Sequence, residues 1–160
     1  RQTLAREIFA IGRDGLKAAS ESAPESLFVP AAGNADEDAD FAEDMPASFE
    51  LPNVLTAAAV DRAGDETGFT SFGPSVDVHA NGFEVESYIP GGETMPLSGT
   101  SMSAPNVVNL AAKLLALEPT LTTSELRALI LDGADRMEGD RRVLLNPKRS
   151  VELLRERRAI

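Results

Sequence analysis

Apolar and polar positions alternate along the chain with two different periods, which predict helices interleaved with strands. Apolar residues recur at helical spacing over about residues 3–19 and predict a first helix. Two continuous apolar runs follow, at 27–32 (LFVPAA) and 54–60 (VLTAAAV). Continuous runs of this kind are typical of parallel strands that are covered on both faces. We therefore predict a buried strand at each run.

The second half of the chain carries the strongest helical patterns. Residues 101–117 are apolar nearly all round, with Lys113 as their one charge, so we expect this helix to be buried in the centre of a domain. Another helix is expected to begin at Thr122, which forms a capping box with Glu125, and to end at Gly133.

Shorter segments complete the predicted architecture. Residues 67–90 contain strand-like pieces broken by turn signals, 143–145 fit a short edge strand, and 147–158 fit an exposed final helix. Strands alternating with helices indicate an α/β fold, in which a parallel sheet is sandwiched by helices. We find no boundary that divides the chain, and expect residues 1–160 to form part of one domain.

Composition and charge exclude several function classes. The net charge is −11, from 26 acidic and 15 basic residues, which argues against a nucleic-acid binder. No apolar run reaches the roughly 20 residues of a membrane helix. The chain has no Cys, which excludes disulfides, thiolate catalysis and zinc–sulfur sites. It begins with Arg1 and shows no secretory leader, so we expect it to be a piece of a longer protein.

The most informative segment is 98–105 (SGTSMSAP), where a glycine-containing turn leads into the apolar helix. Ser101 would lie near unsatisfied backbone N–H groups at the positive end of the helix dipole. Such a place favours an oxygen that becomes negative during attack on a carbonyl. An isolated serine there would more often be a simple helix cap.

The whole octapeptide, however, resembles the nucleophile motif of the subtilisin-like serine proteases, or subtilases. Residues 27–34 (LFVPAAGN) resemble the family's strand that ends in Ala-Ala-Gly-Asn. Residues 54–61 and 69–78 are similar to the segment between those two motifs. The resemblance runs from about residue 27 to residue 135.

The resemblance implies a role for each matching residue. Ser101 would be the nucleophile of a serine endopeptidase that works through an acyl-enzyme. The side-chain amide of Asn34 and the backbone N–H of Ser101 would hold the oxyanion. Thr100 flanks the nucleophile, and the wall of the substrate side-chain pocket would be formed by Ala31, Ala32 and Gly33.

Two parts of the family's catalytic triad are missing. The Asp and His motifs of the family precede the matched region, and neither is present here. The single histidine, His79, falls on a strand position for which we expect a structural role. Asn106 stands where many relatives have a non-catalytic His. We therefore interpret the chain as the C-terminal part of a subtilase catalytic domain; the alternative is a degenerate, non-catalytic binding or folding module.

Calcium is the one cofactor that the sequence suggests, and none is required by the chemistry. Asp36, Asp38 and Asp40 have the spacing of a cation-binding loop, although the loop lacks other features of an EF-hand. Asp77 matches a weak cation site of some relatives. In the same region, the resemblance predicts a cis peptide bond between Met45 and Pro46.

The expected partners follow from the same interpretation. They are polypeptide substrates, together with the N-terminal part of the catalytic domain, which would supply His and Asp. Without that part, an open strand edge and one bare side of the apolar helix should favour self-association. The resemblance implies an extracellular or periplasmic location.

Overall fold

The computed structural model describes residues 2–136 and 138–158. Within these residues the helices are α1 (Gln2–Glu21), α2 (Thr100–Leu117), α3 (Thr123–Gly133) and α4 (Pro147–Arg158). The strands are β1 (Thr56–Val60), β2 (Val76–Asn81), β3 (Val85–Tyr88), β4 (Thr94–Leu97), β5 (Asp135–Arg136) and β6 (Val143–Leu144). None of the described helices combines the length and apolar character needed to cross a membrane.

The main sheet has the strand order β1-β2-β6-β5. It is parallel from β1 to β6, with Ala58 beside His79 and His79 beside Leu144, and the two-residue β5 is antiparallel to β6. Helix α2 follows the β3–β4 hairpin, and helix α4 follows β6. The predicted α/β class is confirmed.

The predicted strand at 27–32 is present as two parallel bridges, one from Phe28 to Val54, just before β1, and one from Ala31 to Ala57 within β1. The Ala57 N–H donates to Pro30 O (2.9 Å), and the Ala32 N–H donates to Ala57 O (2.9 Å). Pro30 has no N–H, so the bond that it would otherwise donate towards Leu55 is absent and a regular strand is interrupted. We call residues 28–31 the edge segment, since it lies at the outer edge of the described sheet.

The core lies between the sheet and α2. Every residue of β1 is buried, and α2 packs across β1 and β2. Helices α3 and α4 pack against each other and against α2. The largest fully buried side chains include Leu55, Leu110, Leu114, Leu129 and Ile130.

Only one side of α2 is buried, and its other side is bare, as expected for a domain that lacks its N-terminal part. Leu110 and Leu114 face the core, while Val108 is 49% exposed and Leu115 is 37% exposed. The apolar face of α1 is also open, with Leu4, Ile8 and Ile11 among the most exposed large side chains. The described residues therefore leave two helix faces apolar and uncovered.

Two local features of the sequence are reproduced in the structure. Thr122 Oγ1 accepts from the Glu125 N–H, and the Thr122 N–H donates to Glu125 Oε2 (2.9 Å), which confirms the capping box of α3. The turn signal at residues 90–92 falls within the loop of an antiparallel hairpin, β3–β4. The pattern alone did not predict β4.

Candidate active site

The turn before α2 is held by backbone bonds from the end of β2. The Gly99 N–H donates to Gly82 O (2.8 Å), and the Glu84 N–H donates to Ser98 Oγ (2.9 Å). A Cβ on Gly82 would lie 2.3 Å from Ser103 Oγ and 2.7 Å from Gly99 O. Only glycine permits so close an approach, and this approach fixes where α2 begins.

Asn34 is attached to the first turn of α2 through one side-chain oxygen. Its Oδ1 accepts from the backbone N–H of Thr100 (2.8 Å) and from Thr100 Oγ1 (3.1 Å). The Gly33 N–H donates to the same Thr100 hydroxyl (3.2 Å). Because Oδ1 is occupied, the Asn34 side chain is held in one orientation with its Nδ2 donor group on the other side.

Ser101, the second residue of α2, lies at the positive end of the helix dipole. No acceptor within residues 2–136 and 138–158 bonds its backbone N–H, as expected for a first-turn position. The Asn34 Nδ2 lies 3.6 Å from the place that a Cβ on Gly99 would take. The Ser101 side chain is exposed. The Asn34 amide and the Ser101 N–H thus both lie at the first turn of α2, and N–H donors at such a place are suited to stabilising an oxygen that gains negative charge.

The proposed pocket wall follows the edge segment. Ala31 and Gly33 are half-buried, whereas Ala32 is completely buried, so the accessible part of the proposed wall is formed by Ala31 and Gly33. Gly33 has a φ of 110°, and a Cβ there would lie 2.9 Å from Ser71 Oγ. Both observations require glycine at this position. Beside the wall, an open apolar groove runs between the edge segment and the outer side of α2, lined by Val29, Ala31, Ser101, Ala104, Pro105 and Val108.

Residues 2–150 match the sequence profile of the Subtilase family. The chain belongs to the subtilase family. A subtilisin-like protease of Coccidioides posadasii is 47% identical over 88 residues, which are 55% of this chain and 21% of that protein. Subtilisin-like protease 1 of Trichophyton rubrum is 39% identical over 103 residues, which are 64% of this chain and 20% of that protein.

Solved structures of subtilases share the fold. The self-cleaved protease domain of PatA superposes with a TM-score of 0.76 at 31% identity, over 88% of this chain and 55% of that one. A protease from Pseudoalteromonas arctica gives a TM-score of 0.77 at 21% identity, over 86% of this chain and 46% of that one. The chain spans about a fifth of the curated relatives' length and about half of these solved subtilases.

His79 of this subtilase chain lies within the sheet and has no bond to Ser101. Its side chain is 4% exposed, and its Nδ1 accepts from the Val143 N–H of β6 (3.3 Å). The Nε2 lies 3.4 Å from Glu66 Oε1 without meeting hydrogen-bond geometry. Burial lowers the pKa of His79, against the opposing effect of the Glu66 carboxylate. The imidazole thus connects β2 to β6.

Glu66 is the charged neighbour of that imidazole. Burial alone would raise its pKa, but hydrogen bonds and charge from Arg141, together with His79, hold the pKa below its ordinary value. Arg141 donates to both Glu66 oxygens and lies over the Phe72 ring, 4.4 Å from its centroid. These contacts join the segment just before β6 to the loop after β1.

The four aspartates suggested as cation ligands do not form one site. Asp38 Oδ1 accepts from the N–H groups of Asp40 and Phe41, and Asp40 Oδ2 accepts from the Ser75 N–H and hydroxyl. Asp36 is exposed. No group of three or more acidic or histidine side chains suited to a metal ion occurs among the residues described. Calcium binding stays a prediction.

Asp77 lies apart from that loop and has a structural set of partners. Its Oδ2 accepts from the Thr56 N–H (2.9 Å), and its Oδ1 pairs with the Arg127 guanidinium. Burial raises the pKa of Asp77, with these partners acting in the opposite direction. Arg127 also donates to Val54 O (3.1 Å), so this pair ties α3 to the sheet.

The structure adds residues that sequence reasoning did not connect to the site. Thr100 bonds Asn34 and Gly33 together, whereas the sequence identified it only as the neighbour of Ser101. The Asn106 side chain donates to Asn81 O (2.9 Å) and Met102 O (3.3 Å), joining α2 to the end of β2.

The peptide bond between Met45 and Pro46 is cis, which confirms that prediction.

Proposed function

We propose that this chain is the nucleophile-bearing part of a secreted serine endopeptidase that cleaves polypeptides through an acyl-enzyme. The observation that carries the proposal is the Asn34–Thr100 contact beside Ser101. It holds a side-chain amide donor and a free backbone N–H next to an exposed hydroxyl at a helix N-terminus. A serine that served only as a helix cap would need no such donors.

In the proposed reaction, Ser101 Oγ attacks the carbonyl carbon of the scissile peptide bond. Negative charge then develops on the carbonyl oxygen, which accepts from Asn34 Nδ2 and the Ser101 N–H. Collapse of this intermediate expels the amine and leaves an ester on Ser101, which water hydrolyses. These donors act mainly on the transition state, so they raise kcat rather than tighten substrate binding.

The attack requires a base that takes the Ser101 proton. His79 is unsuited to this task, because its imidazole is buried between the Val143 N–H and Glu66. We propose that the His and its orienting Asp come from the N-terminal part of the same catalytic domain. On this view the chain alone has no useful protease activity.

The surface that would receive this N-terminal part is the open groove at the edge segment. In the described structure the N–H and C=O groups of Val29 and Ala31 point away from residues 53–57, because Phe28, Pro30 and Ala32 make the bonds to that segment. Unpaired strand groups next to the apolar residues Val108 and Leu115 favour pairing with another strand and packing by another helix. A second copy of the chain would compete for this surface when the N-terminal part is absent.

The proposal is tested on a longer polypeptide that includes the segment preceding residue 1, compared with the 160-residue chain. We expect the longer protein to hydrolyse casein and to be labelled by a fluorophosphonate at Ser101. Ser101→Ala should abolish both readouts. Asn34→Asp retains the acceptor for Thr100 but loses the amide donor, so it should lower kcat more than it changes KM.

The matched control is Ser22→Ala, which removes an exposed hydroxyl that donates only to the nearby Ala19 O. It should keep wild-type hydrolysis and labelling. Hydrolysis that survives Ser101→Ala would contradict the proposal. So would a folded longer protein whose preceding segment lacks Asp and His motifs, which would instead support the non-catalytic module.

A further inference from the structure

We infer that Asp44 directs this site towards peptides with Lys or Arg as the residue whose carbonyl is attacked. The inference rests on the proposed function and names the substrate class of that same site. Asp44 lies in the loop between the edge segment and β1. The sequence offered no sign that this acid, among seven in residues 35–50, differs from its neighbours.

The backbone places Asp44 beside the pocket wall. Its Oδ2 lies 3.2 Å from the position that a Cβ on Gly33 would occupy. The Gly33 N–H, in turn, donates to the hydroxyl of Thr100, the residue before Ser101. Because Gly33 has no side chain, the backbone of the wall is not screened from the Asp44 carboxylate at this residue.

Asp44 is held in place by its main chain. Its N–H donates to Ala39 O (2.9 Å), and its C=O accepts from the Ser48 N–H (2.8 Å) and hydroxyl (2.6 Å). The residue is half-buried. The carboxylate is therefore carried by an anchored turn rather than by a loose surface loop.

Three acids of the loop have partners, whereas the Asp44 carboxylate has none among the described residues. Asp36, Glu37 and Glu50 also lack partners among these residues but are exposed to solvent, so Asp44 is the half-buried member without one. Glu43 pairs with Arg13, and the carboxylates of Asp38 and Asp40 accept from backbone or hydroxyl groups. No donor bonds to Asp44 Oδ1 or Oδ2 within residues 2–136 and 138–158. A half-buried carboxylate without a donor favours a cation brought by a ligand.

The position fits a long basic side chain. When a peptide carbonyl oxygen accepts from Asn34 Nδ2 and the Ser101 N–H, the side chain of that residue starts next to the wall formed by residues 31–33. Lys and Arg carry their charge at the end of a flexible apolar stem, which can pass the wall and reach beyond Gly33. A large apolar side chain would instead cover the carboxylate and leave it without a partner, which costs affinity.

The experiment compares peptide anilides that differ only in this residue, Arg, Lys, Leu or Phe, with the longer protein described above. We expect kcat/KM for Arg and Lys to exceed that for Leu. In Asp44→Asn, the Arg-to-Leu ratio of kcat/KM should fall about 10- to 100-fold, the range for the loss of a hydrogen bond to a charged group. Glu43→Gln removes an equal charge one residue away and should leave the ratio unchanged.

The outcomes separate this inference from the proposed function. Cleavage of the Leu and Phe peptides at rates equal to the Arg peptide, with an unchanged ratio in Asp44→Asn, would overturn the inference while the protease activity stands. Equal falls of the ratio in Asp44→Asn and Glu43→Gln would also overturn it, because they would indicate a general effect of loop charge. Failure to cleave any peptide, together with no fluorophosphonate labelling of Ser101, would instead count against the proposed function.

Discussion

The two sides of α2 have contrasting surroundings although their residues are similar in kind. Leu114 is fully buried against the core that β1, β2 and the C-terminal helices form, whereas its neighbour Leu115 is 37% exposed. The inner side is completed by this chain's own residues. The outer side, the edge segment and the accessible face of Ser101 all border the same open groove. The proposed nucleophile therefore lies where the buried side of α2 meets its uncovered side.

The closed side of the molecule holds the N–H donors of the site in place, although the open side lacks its covering structure. Asn34, Thr100 and Gly82 are positioned by contacts within the closed side, so the donors are in place without the rest of the domain. The open groove contributes apolar side chains and unpaired strand groups. We propose that the base arrives on that surface, so that closing the core and completing the triad would occur together.

The largest expected effect comes from comparing the stability cost of alanine substitutions at two neighbouring leucines of α2, one on each side of the helix. Leu114→Ala should lower the free energy of unfolding by about 2–5 kcal/mol, because it leaves a cavity in the core. Leu115→Ala in the same chain should cost much less, since its side chain is partly solvated. Urea denaturation, followed by circular dichroism, measures both. In the longer protein, Leu115→Ala should become distinctly more destabilising, and equal costs of the two substitutions in the 160-residue chain would contradict the comparison.

A second prediction uses two glycines with opposite surroundings. Gly82→Ala should destabilise the chain by about 1–3 kcal/mol, because the added Cβ would lie 2.3 Å from Ser103 Oγ. In Gly15→Ala the Cβ on α1 meets nothing within 4 Å. That substitution should stabilise the chain by about 0.5–1 kcal/mol through helix propensity. Thermal unfolding of both variants provides the test, and a stabilising Gly82→Ala would show that α2 is free to move away from β2.

The fold was largely predictable because its signals are local. The apolar run at 54–60, the capping box at Thr122 and the turn signal at residues 90–92 each specify their own element. A bare side of α2 was expected from the missing Asp and His motifs, but the apolar pattern alone does not show which of its residues stay uncovered. The edge segment was predicted from its apolar run. Its pairing through two isolated bridges was not, because it depends on the position of Pro30 relative to the neighbouring strand.

The candidate site was predictable only as far as its motifs extend. Ser101 and Asn34 were identified because they fall within matching segments, 67 positions apart. The bond that joins them passes through Thr100, and no spacing rule indicates that contact. Asp44 lies within an acidic stretch whose members resemble one another in sequence, and only the fold shows that its carboxylate is half-buried and lacks a partner among the described residues.

The smallest expected effect concerns His79, which connects β2 to β6 on the closed side. Its folded-state pKa is lowered by burial, with Glu66 and Asp140 opposing that effect and Arg141 adding to it. The unfolded chain therefore takes up a proton at about pH 6.5, where the folded chain does not. Stability should be fully present above that pH and should fall as the pH is lowered from 6.5 towards the folded-state pKa.

His79→Gln provides the measurement, because glutamine retains an acceptor for the Val143 N–H but does not titrate. The free energy of unfolding of the parent chain should fall as the pH is lowered from about 6.5 towards the folded-state pKa of His79, and the variant should lack that part of the pH dependence. Glu66 has a lowered pKa, so its own contribution is lost as the pH falls from about 4.5 through its folded-state pKa. An identical slope in parent and variant would mean that the pKa of His79 is the same in the folded and unfolded chain, which would contradict the effect assigned to its burial.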